Sequence, residues 1–258
     1  MIRFGLLRVA GPPSRSPELY RALWAGHSLE AQLHYEVLEL APRRDWSTWL
    51  DAAHREGWSG FNVTIPHKID LWQSCERRSP EAEAIGATNC IARIPEGWVC
   101  HNTDADGFWF SWEDLWNGYR PVRQRAWLLG NGGAARAIAY ALSSRGFAVD
   151  VFARTPRHDF FGLEQRPFAE TAQAEHPDVI VNATSMGHGD LRDLAPPVVW
   201  RNLNGVWAID AVYGSTPTLF QIQAANAGAW VFDGMPMLRM QAKKAWEYWG
   251  EVLGMPDF

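Results

Sequence analysis

The sequence predicts an α/β fold in two domains, and three observations carry that expectation. Strand-like and helix-like segments alternate from residue 2 onward. A glycine loop of the form G-x-G-x-x-A, Gly130-Asn131-Gly132-Gly133-Ala134-Ala135, stands between an apolar strand pattern and a helix pattern in the middle of the chain. The length, 258 residues, lies where single cores stop growing and chains divide. With 47% hydrophobic and 21% charged residues, the chain is too apolar for a disordered protein.

In order, the pattern predicts a strand over 2–9, a loop over 10–16, a helix over 17–25, a strand over 33–40, a helix over 46–55 and a strand over 60–64. Alternation of this kind argues for a mainly parallel sheet. In the last of these strands Phe61, Val63 and Ile65 alternate with Asn62 and Thr64 before the run reaches Lys68, so the pattern delivers Asn62, Thr64 and Lys68 to a cleft. Pro66 opens a short helix over 68–75. The segment 84–93 leads through Gly86-Ala87-Thr88-Asn89-Cys90 into a strand, and 94–97 reads as a hairpin turn before a strand over 98–100. Asp104 precedes an aromatic helix over 108–115, a place from which a carboxylate can cap free N–H groups. The expected domain spans are 1–103 and 104–233, with a C-terminal helical segment, 234–258, returning to the first domain.

The second domain opens on a strand over 125–129, followed by the glycine loop and a helix over 136–144 that Gly146 ends. This order is the dinucleotide fingerprint of a Rossmann-type parallel sheet. Gly130 allows the tight turn, Gly132 lets backbone N–H groups approach a pyrophosphate, and small Ala135 lets the helix pack on the strand. The next strand, over 148–153, bears on the cofactor. An Asp or Glu about 20 residues past the first glycine, at the strand end, marks NAD, whereas an Arg there suits the 2′-phosphate of NADP. Asp150 lies mid-strand, and Arg154-Thr155 occupies the strand end. NADP is therefore expected, with NAD as the alternative, and Asp150 is read as a solvated or sheet-edge residue. Strands over 179–181 and 206–209 end in polar loops, Asn182-Ala183-Thr184-Ser185-Met186-Gly187 and Asp210-Ala211-Val212-Tyr213, which should line the cofactor cleft. A helix over 218–227 and a strand over 229–232 follow. The terminal helix, over 237–253, places Leu238, Gln241, Ala242, Ala245, Trp246 and Trp249 on nearly one face, with Gln241 its one polar interruption.

Several classes fall away. A net charge of −5, from 24 basic and 29 acidic residues, gives no general attraction to nucleic acid or anionic membranes. The runs that hold many of the 15 Trp carry acidic residues between them, which suits core packing and not base stacking. Cys75, Cys90 and Cys100 are odd in number and lack Cys-x-x-Cys spacing, so three buried or idle thiols are expected, with neither a disulfide framework nor zinc. The eight His show no metal pattern. The apolar start carries Arg3 and Arg8, unlike a signal peptide, and no run approaches the ~18 apolar residues of a membrane helix, so a cytoplasmic protein is expected.

Taken together, the motifs Ser14-Arg15-Ser16-Pro17, the segment 60–68, Gly86-Ala87-Thr88-Asn89, Asn102-Thr103-Asp104, the glycine loop, Arg154-Thr155, the segment 182–187, and Asp233-Gly234-Met235 leading to Met237-Leu238 and Gln241-Ala242 resemble the shikimate dehydrogenase family over almost the whole chain. The resemblance implies that Lys68 and Asp104 are the catalytic pair. It implies substrate contacts at Ser14, Ser16, Thr64, Asn89, Asp104, Tyr213 and Gln241. Gly130, Asn131, Gly132, Gly133, Ala134, Ala135, Arg154, Thr155, Thr184, Met186, Gly234 and Met237 would meet the cofactor, and no metal is implied. The implied activity is NADP-dependent hydride transfer between the nicotinamide and the 3-hydroxyl of shikimate, in the aromatic amino acid pathway, by a monomer or homodimer acting on a small molecule. Quinate, aminoshikimate or another cyclic hydroxy acid, and a ligand-sensing relative without turnover, are the alternatives. The chain also departs from the family pattern: Tyr20-Arg21 replaces a usual His-Asn, Asn131 stands where Ala is common, Ala153 replaces an Asn, and the later basic position holds His158, with Arg157 one place early.

Overall fold

The computed structural model describes residues 1–42, 44–113, 118, 121–156, 160 and 162–256. The chain forms two compact units, one built from Met1–Gly107 and Arg239–Phe258, the other from Phe108–Leu238.

In the first unit β1 (Ile2–Arg8) lies between β2 (Leu33–Glu39) and β3 (Gly60–Val63), parallel to both. The sheet continues through β5 (Cys90–Ile94) and β6 (Gly97–His101) to β4 (Arg77–Arg78), in the order β2-β1-β3-β5-β6-β4. Because β5 and β6 form an antiparallel hairpin on β3, the sheet is mixed where alternation suggests mainly parallel strands. One face packs on α2 (Trp46–Arg55) through Trp46, Leu50 and Ala53. The other packs on α1 (Ser16–Trp24) and on α8 (Met235–Leu253), whose Trp246 and Trp249 join Phe4, Tyr20 and Trp24. Two of the buried indoles find backbone acceptors: Trp249 Nε1 donates to the Ile91 carbonyl and Trp98 Nε1 to that of Leu50, both at 2.9 Å.

α3 (His67–Ser74) and α4 (Pro80–Ile85) connect the strands. Helix α4 goes beyond the elements that periodicity predicts, although Ser79 caps it through the Ala82 N–H at 3.1 Å, Pro80 starts it and Gly86 closes it in the left-handed region. The expectation of three thiols needs correction. Cys75, at the end of α3, and Cys100, on β6, are disulfide-bonded with their Cα atoms 6.3 Å apart, and only Cys90 is free and buried. The fold brings those two residues together in the core on one face of the sheet, which spacing along the chain does not reveal.

The second unit is an all-parallel sheet in the order β12-β11-β10-β7-β8-β9: β7 (Arg125–Leu129), β8 (Ala148–Ala153), β9 (Gln165–Pro167), β10 (Val179–Asn182), β11 (Trp207–Asp210) and β12 (Trp230–Phe232). The chain order reverses between β7 and β10, and such a switch point leaves a crevice at the carboxyl ends of the strands. α6 (Gly133–Ser143) follows β7, beginning three residues before the expected start because the end of the glycine loop already takes helical form. α7 (Leu219–Asn226) starts with a reciprocal capping box between Thr218 and Gln221. The aromatic helix expected over 108–115 is seen as α5 (Asp104–Phe110), and the later expected residues lie partly outside the described ones. Among the described residues no helix is long and apolar enough to cross a membrane, and no group of three or more His, Cys, Asp or Glu could hold a metal ion.

Candidate active site

Lys68 reaches its place through a short reversal after β3. Thr64 N–H closes on the Leu7 carbonyl at 3.1 Å, the Ile65–Pro66 peptide is cis, and His67 N–H returns to the Thr64 carbonyl at 2.9 Å. Lys68 therefore sits in the first turn of α3, where the Thr88 N–H holds its carbonyl at 2.9 Å. Asp104 arrives from β6. Its N–H donates to Asn102 Oδ1 at 3.0 Å, and Asn102 is itself fixed by donating to the Ala87 carbonyl at 2.9 Å.

The two side chains meet: Lys68 Nζ lies 2.5 Å from Asp104 Oδ2, with exposures of only 11% and 6%. A pair this enclosed needs further polar partners. Asn89 supplies one: its Nδ2 lies 2.8 Å from Asp104 Oδ1, 3.0 Å from Thr103 Oγ1 and 3.2 Å from Gln241 Oε1, its two protons shared among these three acceptors. Its Oδ1 accepts the Thr103 N–H at 2.7 Å. Thr103 Oγ1 also donates to the Gln241 carbonyl at 3.0 Å, which ties α8 to the start of α5. That approach requires Gly107, since a Cβ there would stand 2.5 Å from Gln241 Cβ. The expected residues Lys68, Asn89, Asp104 and Gln241 thus form one bonded cluster, and Asn102 and Thr103, which have no role assigned from sequence, hold it in place.

Ser14 and Ser16 sit together at the start of α1, the Ser14 hydroxyl donating to Ser16 Oγ at 3.2 Å and accepting the Ser16 N–H at 3.1 Å. Asn62 lies on β3 two residues before Thr64, and Tyr35 donates to its Oδ1 at 2.7 Å. The Asn62 Nδ2 is a buried donor without a partner among the described residues, the kind of group a ligand or water satisfies. Tyr35 stacks on Tyr20 at 4.3 Å, so the Tyr20 that replaces a His is part of the aromatic packing under α1. Tyr213 belongs to the second unit and is half-buried.

In the second unit, Gly130 has φ +114°, and a Cβ there would stand 3.0 Å from the Ala183 carbonyl oxygen, so the turn out of β7 admits only glycine. Gly132 caps α6 with no side chain on the first-turn N–H groups, and nothing lies within 4 Å of a Cβ built on it. Free N–H groups and open space at a helix N-terminus fit a pyrophosphate. Arg154 and Thr155 are exposed after β8. Asp150 is neither solvated nor on a sheet edge as expected: β8 pairs with both β7 and β9, and Arg125 Nη1 and Arg166 Nη2 each hold one of its oxygens at 2.7 Å. Arg157 and His158 lie outside the described residues.

A second polar network, unforeseen from sequence, joins the loops after β10 and β11. Asn182 Nδ2 donates to Asp210 Oδ1 at 2.9 Å, while its Oδ1 accepts from Thr184 Oγ1 at 2.7 Å. Thr184 Oγ1 in turn accepts the Met186 N–H at 3.1 Å. Asp210 also accepts the Val212 N–H at 3.1 Å and the Thr218 hydroxyl at 2.5 Å. Burial pushes the Asp210 carboxyl up to about 6 against the pull of those hydrogen bonds, and Asp233 pushes the same way as burial. Gly234 packs on the Ala211 carbonyl, and Met237 is buried near the start of α8. The strand-end Asn and Asp are the only sequence signal for this network.

Residues 12–91 match the family model described as the shikimate dehydrogenase substrate binding domain. A curated shikimate dehydrogenase (NADP(+)) of Anaeromyxobacter dehalogenans is 35% identical over 96% of this chain and 91% of its own length. Among solved structures, shikimate dehydrogenase 1 from Peptoclostridium difficile superposes with a TM-score of 0.82 at 26% identity, covering 98% of this chain and 92% of that one. The shikimate 5-dehydrogenase of Thermus thermophilus, solved with NADP(H) and shikimate, gives 0.75 at 28% identity over 99% and 97%.

Proposed function

We infer that this chain, which belongs to the shikimate dehydrogenase family, catalyses reversible, NADP-dependent hydride transfer between the nicotinamide and the 3-hydroxyl of shikimate, giving the 3-keto acid. The observation that carries the reading is the enclosed Lys68–Asp104 pair, bonded through Asn89 to Gln241. NADP supplies the hydride acceptor and donor. What the protein must add is a place for the proton, because oxidation of a secondary alcohol releases a proton from oxygen as hydride leaves carbon. Lys68 and Asp104 take up or return that proton and hold the reacting oxygen beside them. Thr64, Asn89 and Gln241 orient the carboxylate's neighbours and the ring hydroxyls, and Ser14 and Ser16 receive the carboxylate, with Tyr213 nearby. Arg154 and Thr155 meet the 2′-phosphate, a role for which a guanidinium fork is suited.

The test is initial-rate kinetics with shikimate and quinate, each with NADP and NAD. The highest kcat/KM is expected for shikimate with NADP. A higher value with quinate would reassign the substrate, and ligand binding without hydride transfer to either cofactor would overturn the enzymatic reading.

A further inference from the structure

We propose that Asn131 is a positioning residue for NADP, setting the distance between the pyrophosphate loop and the 2′-phosphate turn through its side-chain amide. The proposal rests on the NADP reading above. Asn131 follows Gly130 in the loop between β7 and α6, and its Nδ2 makes two bonds to the protein: 2.9 Å to the Thr155 carbonyl and 2.7 Å to Gln165 Oε1. Both amide protons are thereby committed, so the side chain works by holding two segments together. One of them carries Arg154 and Thr155. The other is β9, an edge strand whose neighbouring Arg166 grips Asp150 at 2.7 Å and lies 4.8 Å above the Phe152 ring.

The chain of attachments is continuous. The Gly130 N–H is fixed to the Phe152 carbonyl at 2.8 Å, Asn131 ties the loop to Thr155 and Gln165, and Arg125 and Arg166 lock Asp150 on the strand between. Gln165 is 8% exposed, so its bond to Asn131 is partly shielded from water, while the bond to the Thr155 carbonyl lies at the surface. A dinucleotide with a 2′-phosphate must satisfy two anion sites at a fixed separation, the N-terminus of α6 and the Arg154–Thr155 turn. Fixing that separation beforehand removes the cost of ordering the turn on binding. A cofactor without the 2′-phosphate does not depend on the turn. Asn131 therefore contributes to the choice between NADP and NAD as well as to affinity.

Titration calorimetry with NADP and NAD, on wild type, Asn131→Ala and Gln165→Ala, tests this without turnover. Asn131→Ala is expected to weaken NADP about tenfold and NAD by less than about twofold, because the two lost protein–protein bonds are those that hold the 2′-phosphate turn. Gln165→Ala, which removes one of the two acceptors, should shift the same ratio by a smaller factor, and thermal unfolding confirms that both variants fold. Equal losses for both cofactors, or none for either, would overturn the positioning role. Wild type that binds NADP no more tightly than NAD would instead sink the underlying NADP reading, a failure visible before any variant is measured.

Discussion

The two units solve their recognition problems with different parts of the chain. In the first, side chains bond to one another: Lys68, Asp104, Asn89, Thr103 and Gln241 form a closed set in which each residue is held by another of the set. In the second, the groups that would meet a pyrophosphate are backbone N–H groups, and the side chains Asn131, Asn182, Asp210 and Thr218 work behind them as braces. Chemistry needs particular functional groups at an atom, so it selects residue identities. Anion binding needs a backbone path, so it selects glycine and small residues with polar supports.

The sharpest break in that contrast is expected at Lys68. Removing its ammonium leaves Asp104 without its counter-charge and, on the function proposed above, takes away one of the two groups assigned to the proton step. Lys68→Ala should lower kcat for shikimate oxidation by about a hundred- to ten-thousandfold, the usual range for a positioned acid or base, with a much smaller change in KM. Steady-state kinetics decide it: unchanged turnover would remove Lys68 from the proton step.

In the second unit the expected effect is one of stability. Asp210 is fully buried with its carboxyl pushed up to about 6, above its unfolded value near 3.8. For an acid shifted upward, the stability contributed by the protonated form is complete below about 3.8 and is lost as pH rises through about 6. The shift corresponds to about 3 kcal/mol, since one unit is worth about 1.4. Asp210→Asn keeps an oxygen for the Asn182 and Val212 donors and cannot ionise. Denaturant unfolding from pH 4 to 7.5 should show the variant gaining on wild type as pH rises, by up to that amount. A difference that stays constant with pH would show that Asp210 does not titrate in this range.

Legibility in the sequence follows the same division. Periodicity and glycine chemistry mark β7, β8 and α2 to the residue, because each couples a regular apolar pattern to a clear stop. The three-residue β9 escapes such a reading because Gln165-Arg166-Pro167 has no period, and α4 because its Ser79-Pro80 start stands beside a charged stretch. Lys68, Asn89, Asp104 and Gln241 can be named from their motifs, but their mutual bonds join residues up to 152 positions apart and exist only in the fold. The braces are harder still. Nothing in the sequence around Asp150 shows that Arg125 and Arg166 will clasp it, and nothing around Cys75 shows that it will face Cys100.

The smallest effect separates packing from recognition inside the first unit. Tyr20 is buried, its hydroxyl donates to the Ala242 carbonyl at a long 3.3 Å, and its ring stacks on Tyr35 at 4.3 Å and lies 5.5 Å from Trp249. Burial raises its phenol well above the ordinary value, so the hydroxyl stays a donor throughout the working pH range. Tyr20→Phe keeps the ring and removes a weak bond to a carbonyl that lies within α8, where the helix itself offers a donor, together with the hydroxyl's interaction with the Asn62 side chain. The cost should be no more than about 1 kcal/mol, seen as a fall in Tm of about 2–4 °C. The KM for shikimate should change by less than about twofold, because the ring packing against Tyr35 and Trp249 is kept and Asn62, whose side chain interacts with the Tyr20 hydroxyl, remains held by Tyr35. A KM rise of tenfold or more would move Tyr20 out of the packing and into the substrate site. The Tyr-for-His departure would then be a change in recognition.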